Sequence, residues 1–392
     1  MKNYGEILLE HRAWAEEVFS RIDKKMSVIT KRRSDIICGD ASVETGLRDK
    51  SIPAIGWTSG FWGGLNWLLY DYTKNEDYKI TAQNNVRLLD DGFSRFEDLY
   101  HDVGFMWHLC AGAAYRLTGD EQAKVRNLFA AASLSSRFVL GGSFIRAWNR
   151  VGWAKDNSAE NWTIVDCMMN LPILYWASDV IGDDRFKRIA MAHADTTIDT
   201  HIRPDGSVVH IVEHDRESGD TVATYAGQGY AVGSSWSRGQ AWALYGFVLS
   251  YLHTGEVRYL DTAKLVANYF IANCCDDWLP RVDFRAPSTP VYYDSTAGAC
   301  AACGMIELAK ILPEGEGGMY INAAVNILKA MEEKFTNYDE SVDYILGWGT
   351  TRYPIPGVYT PQAAGVDRAI IYGDFFYTEA ILKLLGSEFN PW

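Results

Sequence analysis

Four short segments interrupt otherwise apolar stretches with side chains that can do chemistry. They are Trp57-Thr58-Ser59-Gly60-Phe61-Trp62, His101-Asp102-Val103-Gly104-Phe105, Asn161-Trp162-Thr163-Ile164-Val165-Asp166-Cys167 and Trp236-Ser237-Arg238-Gly239-Gln240-Ala241-Trp242. Tryptophan faces are apolar and polarisable and stack on sugar rings, while carboxylates and amides read hydroxyls, so this mixture predicts a carbohydrate site. The two carboxylates differ in setting. Asp166 lies between Val165 and Cys167-Met168-Met169, an apolar run that half-buries it; burial raises a carboxyl pKa, as a general acid working near neutrality requires. Asp102 stands at a helix start, where backbone amides and the helix dipole favour the anion and lower its pKa; capping that helix is its other reading. If both face one sugar, they titrate as a coupled pair. Arg238 reads equally as a ligand for an acidic sugar and as a structural partner of Asp102 or Asp166.

Other chemistry-bearing strings read as structure. His210-Ile211-Val212-Glu213-His214 fits an inverted zinc-peptidase motif, which needs a helix to bring both histidines to one face. Pro204, Gly206, Gly219 and the β-branched residues around it predict a hairpin instead, with residues four apart separated by about 13 Å. That leaves His210 as a flap histidine contacting substrate or solvent. Cys300 and Cys303 form a lone CxxC and place two small residues on one helix face. Gly315-Glu316-Gly317-Gly318 lacks the preceding strand of a phosphate loop and reads as a turn, and no serine sits in a nucleophile elbow. No metal site is expected.

The elements that must position these residues are helices. Tyr4, Ile7, Leu8, Trp14, Ala15, Val18, Phe19 and Ile22 form an amphipathic stripe. Five turns, at 73–78, 118–121, 181–184, 254–256 and 313–318, each end one helix-like run and start another with Gly or Asn beside acidic residues. With the first helix and a last one over about 374–385, the count is twelve, which as six hairpins suggests a closed toroid. Long segments near 27–56, 140–161, 201–235, 276–293 and 336–371 enter the first helix of each hairpin, so they gather at the inner-helix N-termini, the expected site. Residues 208–212 and 221–225 predict a small β-hairpin flap. No linker or low-complexity tract divides the chain, so 1–392 is expected to be one domain.

Composition narrows the partners. The 37 Lys and Arg against 50 Asp and Glu give a formal net charge of −13 with no basic run, which argues against nucleic acid or an anionic membrane as partner. No apolar stretch is long enough to span a bilayer. Seven cysteines, including the adjacent Cys274 and Cys275, suit free thiols in a reducing compartment, and a cytoplasmic location is expected.

The motifs W-T-x-G-F-W at 57–62, H-D-x-G-F at 101–105, D-C-x-x-N-L-P at 166–172, W-x-R-G-Q-A-W at 236–242 and D-S at 294–295 occur in an order that resembles the unsaturated glucuronyl hydrolase family, glycoside hydrolase family 88, over about 57–377. Tyr372-Gly373-Asp374-Phe375-Phe376-Tyr377 resembles that family's last inner helix. The resemblance implies an all-α (α/α)6 barrel with Asp166 as acid/base and Asp102 assisting. It also implies Trp57, His101, Trp148, His210, Gln228, Trp236, Arg238 and Trp242 around the sugar. The implied substrate is a di- or oligosaccharide carrying a 4,5-unsaturated uronic acid, hydrolysed by hydration of its vinyl ether without metal or organic cofactor. Two departures stand out: Ser59 occupies a position where the family often has Asp, and Trp348-Gly349-Thr350-Thr351-Arg352-Tyr353-Pro354 replaces the Ser- and Lys-bearing loop of members that take sulfated sugars. A related hydrolase of unsaturated rhamnogalacturonan units, an inverting glycosidase, an epimerase and a non-enzymatic glycan-binding toroid are the alternatives.

Overall fold

A computed structural model describes residues 3–150, 159–274 and 276–392. Among them, helices form two concentric layers. The inner layer comprises α2 (Ser59–Thr73), a π-helical segment (Gly104–Gly112) continuing into α4 (Ala113–Thr118), and a 3-10 turn (Val165–Met169) leading to α6 (Pro172–Ile181). It is completed by α8 (Ser237–Thr254), α10 (Ser295–Ile311) and α12 (Ile371–Leu384). The outer layer is α1 (Tyr4–Arg32), α3 (Glu76–Leu88), α5 (Glu121–Ser135), α7 (Arg185–His201), α9 (Val257–Asn273) and α11 (Glu314–Phe335). Helix α12 packs on both α10 and α2, which closes the ring. The inner helices α2, α8, α10 and α12 are buried along most of their length, whereas α1 buries one stripe, as their layers require. The expected toroid is this (α/α)6 barrel.

Short left-handed caps turn inner helices into outer ones. Gly119, Gly182 and Gly255 end α4, α6 and α8 at positive φ, and Lys74 does the same after α2, leaving Asn75 to cap α3 through Asp77 N–H. The fifth expected turn is different: Pro313 is the N-cap of α11, and Gly315, Gly317 and Gly318 lie inside that helix. A Cβ on Gly317 would come within 2.6 Å of Ala309 O, so the glycine lets α11 lie close against α10. Helix α1 also runs past the expected loop start near residue 27, because Met26 and Ile29 extend its buried stripe and the buried Lys25 donates to Asn337 O and Tyr344 O.

The expected hairpin is a three-stranded sheet. Strand β4 (Ile211–His214) pairs with β5 (Thr221–Tyr225) on one side and β3 (Trp162–Ile164) on the other, all antiparallel. Residues 161–167 were expected to begin an inner helix; Trp162, Thr163 and Ile164 favour extended backbone and take a sheet partner before the chain turns helical. A two-stranded ladder, β1 (Phe138–Val139) with β2 (Phe144–Ile145), shapes the loop before it. No helix among the described residues is long and apolar enough to cross a membrane. Cys300 Sγ faces Ala241 O on α8 while Cys303 Sγ faces Phe376 O on α12, so the CxxC thiols serve different helix contacts; Cys275 and part of the 140–161 loop lie outside the described residues.

Candidate active site

The sheet sets the distance between Asp166 and His210. Ile164 pairs with Ile211, and Val165 N–H donates to His210 O (3.1 Å), so the residues just beyond the ladder, Asp166 and His210, end side by side. His210 Nε2 lies 3.4 Å from Asp166 Oδ1. Neither atom makes a hydrogen bond among the described residues. Gln228 N–H points at His210 Nδ1 (3.2 Å), which assigns the proton of the neutral ring to Nε2, facing Asp166. Ala226 O, 3.1 Å from the same Nδ1, favours the other tautomer; the fixed hydrogen of Gln228 decides for the first. The second histidine of the H-x-x-E-H string spends its ring elsewhere, with Nε2 2.6 Å from Thr163 Oγ1 and Nδ1 2.9 Å from Gly219 O. Among the described residues no three His, Cys, Asp or Glu side chains gather to hold a metal.

Asp102 approaches from the neighbouring inner helix. Asn170 ties the two aspartate segments together: its Oδ1 accepts Phe105 N–H (2.8 Å) and its Nδ2 donates to Asp166 O (3.3 Å). A Cβ on Gly104 would fall 2.7–2.9 Å from Asn170, so this contact requires glycine. His101 Nε2 lies 3.5 Å from Asp102 Oδ1, and burial pushes the imidazole down to about 3, neutral at any working pH. Arg137 clamps the outer wall by donating to Leu99 O, Arg146 O, Ala147 O and Asn149 Oδ1.

The electrostatic order of the two carboxylates reverses the sequence expectation. Asp102 does not cap its helix with its side chain; it is buried, and desolvation together with the nearby Asp166 charge pushes it up to about 8. Asp166 is half-buried, and its desolvation by itself raises its pKa, but the close approach of the His210 Nε2–H dipole and the positive charge of Arg238 hold it below the ordinary aspartate value. The single proton of the pair therefore rests on Asp102 while Asp166 is ionised.

Arg238 pairs with neither aspartate. It forms a buried ion pair with Asp294, the N-cap of α10, and donates to Thr350 O and Thr351 O (both 2.8 Å), fastening the loop before α12. Its guanidinium also lies 4.4 Å above the Trp236 ring, whose centroid is 4.3 Å from that of His210. Trp236 and Trp242 are 2% and 0% exposed. Trp242 packs against Phe105, Tyr372 and Phe376 and supports the floor, so sequence reasoning placed it one layer too high. Trp57, half-buried against Phe105 and Tyr372, and Trp148, half-buried beside Tyr225, are the more accessible indoles. Ser59 is buried and donates to Ala54 O, so it shapes the start of α2.

Beyond His210 opens a cavity of about 650 Å3 lined by Trp148, Gln228, Tyr225, Arg352 and Tyr359 among others. Gln228 donates its amide to Thr351 O (2.9 Å) and joins the flap to the loop before α12. Tyr225 and Arg352 are additions that sequence reasoning missed. Arg352 lay in a stretch already singled out, but nothing in its spacing marked it, and Tyr225 read only as a strand residue.

Residues 38–283 match the family described as Glycosyl Hydrolase Family 88. The chain is 36% identical over 341 residues to an unsaturated glucuronyl hydrolase of Bacillus sp. (strain GL1), covering 86% of this chain and 88% of that protein. It is 34% identical over 333 residues to an unsaturated chondroitin disaccharide hydrolase of Streptococcus pneumoniae, covering 83% and 81%. The solved unsaturated glucuronyl hydrolase of Streptococcus agalactiae superposes with a TM-score of 0.85 at 28% identity, over 96% of this chain and 93% of that one. On sequence and structure alike, the chain belongs to glycosyl hydrolase family 88.

Proposed function

We propose that this chain hydrolyses short oligosaccharides with a 4,5-unsaturated uronic acid at the non-reducing end, the products of polysaccharide lyases. The observation that carries the reading is the pair of a buried Asp102 and a half-buried Asp166, with Asp166 facing His210 at the mouth of a barrel whose relatives are hydrolases of such sugars. A substituted Streptococcus agalactiae unsaturated glucuronyl hydrolase has been solved with dGlcA-GalNAc6S.

The chemistry is hydration of a vinyl ether. A proton adds to C4, water adds to C5, and the resulting hemiketal opens to a keto acid and the free aglycone. One carboxyl group can serve both proton transfers, giving its proton to C4 and then taking one from the incoming water. Asp166 is that group and Asp102 is the store. The uronate brings a negative charge into the pocket, which disfavours the Asp166 anion and draws the pair's proton onto it. Trp57 and Trp148 offer ring faces to the sugars, His101 and His210 read hydroxyls, and Gln228 borders the aglycone. Trp236, Arg238 and Trp242 hold these groups in place from behind.

The deciding experiment follows loss of alkene absorbance with unsaturated disaccharides in heavy water. Deuterium at C4 of the released keto acid is expected. Turnover without deuterium at C4 would mean attack at an anomeric carbon, and binding without loss of absorbance would leave only a glycan-binding barrel.

A further inference from the structure

The cavity beyond His210 has a neighbour. A second cavity of about 670 Å3 adjoins it, with Tyr100 and Arg150 in the walls of both. Tyr100 immediately precedes His101 and Asp102, so the shared wall is continuous with the candidate catalytic segment. Four further charged residues line the second cavity: Arg137, Arg146, Glu97 and Asp98. Arg137 is committed to backbone carbonyls and Asn149, and Asp98 is paired with Arg95. Arg146 is half-buried and, among the described residues, its guanidinium donates only to Asn149 Oδ1 (3.2 Å), and neither it nor Arg150 has a carboxylate in ion-pair contact there. In a chain carrying a net charge of −13, two guanidiniums beside one cavity, opposed among its described lining residues by the otherwise unpaired Glu97, form a local anion site.

We propose that this second cavity is a subsite for an acidic sugar two units beyond the scissile bond, with Arg146 and Arg150 as its anchors. The inference rests on the function proposed above. In polymers that alternate uronic acid with amino sugar, lyases leave even-numbered fragments headed by the unsaturated unit. With that unit at Asp166 and the amino sugar in the 650 Å3 cavity, the next unit carries a carboxylate and falls in the second cavity. The enzyme is therefore built for tetrasaccharides as well as disaccharides.

The test compares kcat/KM for an unsaturated disaccharide and tetrasaccharide from the same polymer, in the wild-type chain, Arg146→Gln and Arg146→Lys. The wild type is expected to favour the tetrasaccharide by about tenfold, the scale of one charge-assisted hydrogen bond. Arg146→Gln should remove that preference through KM while leaving the disaccharide unchanged; Arg146→Lys should keep part of it. Added salt should erode the tetrasaccharide rate alone. Equal kcat/KM for both lengths in the wild type, or equal losses on both substrates in both variants, overturns the subsite. Turnover of neither substrate overturns the proposed function, and the subsite with it.

Discussion

The barrel buries acidic side chains at both ends of its inner helices, and the two clusters are built on opposite principles. Toward the C-terminal ends, Glu307 and Glu379 share Lys383, at 2.5 and 3.3 Å. Lys310 adds a second cation to Glu307, and Tyr245 O–H and Trp392 Nε1–H donate to Glu379. Each of these carboxylates is answered by a cation. At the mouth, Asp166 Oδ1, His210 Nε2 and His101 Nδ1 are buried without a hydrogen-bond partner among the described residues, and Asp102 is pushed up to about 8. The paired cluster holds helices together. The unpaired one keeps capacity for a ligand to use, which is how buried polar groups in an active site differ from those in a core.

The largest expected effect belongs to the paired end. Lys383→Met leaves Glu307 and Glu379 without their shared cation, and breaking a buried pair from one side costs about 3–5 kcal/mol of stability. Chemical denaturation should show that loss while kcat of the folded fraction stays near wild type. A variant that kept its stability would mean the base cluster is no more structural than the mouth.

Asp166→Asn reverses the pattern. It should lower kcat by at least about a hundredfold, the scale of lost general acid–base catalysis, with the melting temperature and substrate binding retained. Near-native turnover would remove Asp166 from the chemistry and leave the contrast between the ends without functional meaning.

The smallest effect sharpens the contrast through pH. An unfolded aspartate titrates near about 3.9, whereas folded Asp102 is pushed up to about 8. Between those values the folded chain holds a proton that the unfolded chain has released, so the Asp102 contribution to stability is full below the lower value and is lost as pH rises to the upper one. Asp102→Asn cannot lose that proton. Its melting temperature relative to wild type should rise by a few degrees between about pH 4 and about pH 8, and the alkaline limb of kcat should move to lower pH because the pair has lost its proton store. A pH-independent difference in melting temperature would show that Asp102 is ionised in the folded chain.

Much of this architecture is legible in the residues. Helix ends advertise themselves, as at Gly119, Gly182 and Gly255, because few residues accept a left-handed cap and the glycines stand directly before acidic first turns. The site motifs are legible because tryptophan, histidine and aspartate are costly in apolar runs unless something needs them. What the residues hide is long-range. Trp162-Thr163-Ile164 favours extended backbone, but three residues become a strand only because β4, far along the chain, pairs with them. The order of the two aspartate pKa values is hidden for the same reason, since His210 reaches Asp166 only through that pairing. Arg238 shows a third limit: its partner Asp294 sits on another helix, and one sequence cannot say which acid an arginine will choose.

The β3–β4 ladder also has an evolutionary consequence. It places His210 beside Asp166 from one end, at the bond between Val165 N–H and His210 O, while the other end of β4 runs into the 215–220 turn toward β5, where Asp215 N–H meets Asp220 O. Insertions in that turn lengthen the flap without touching the register that presents His210. A one-residue insertion within Ile211–His214 would rotate the strand and point His210 to the opposite face. Length variation among descendants of this chain should therefore collect at 215–220, where new contacts to longer sugars can be tried out while the chemistry is inherited unchanged.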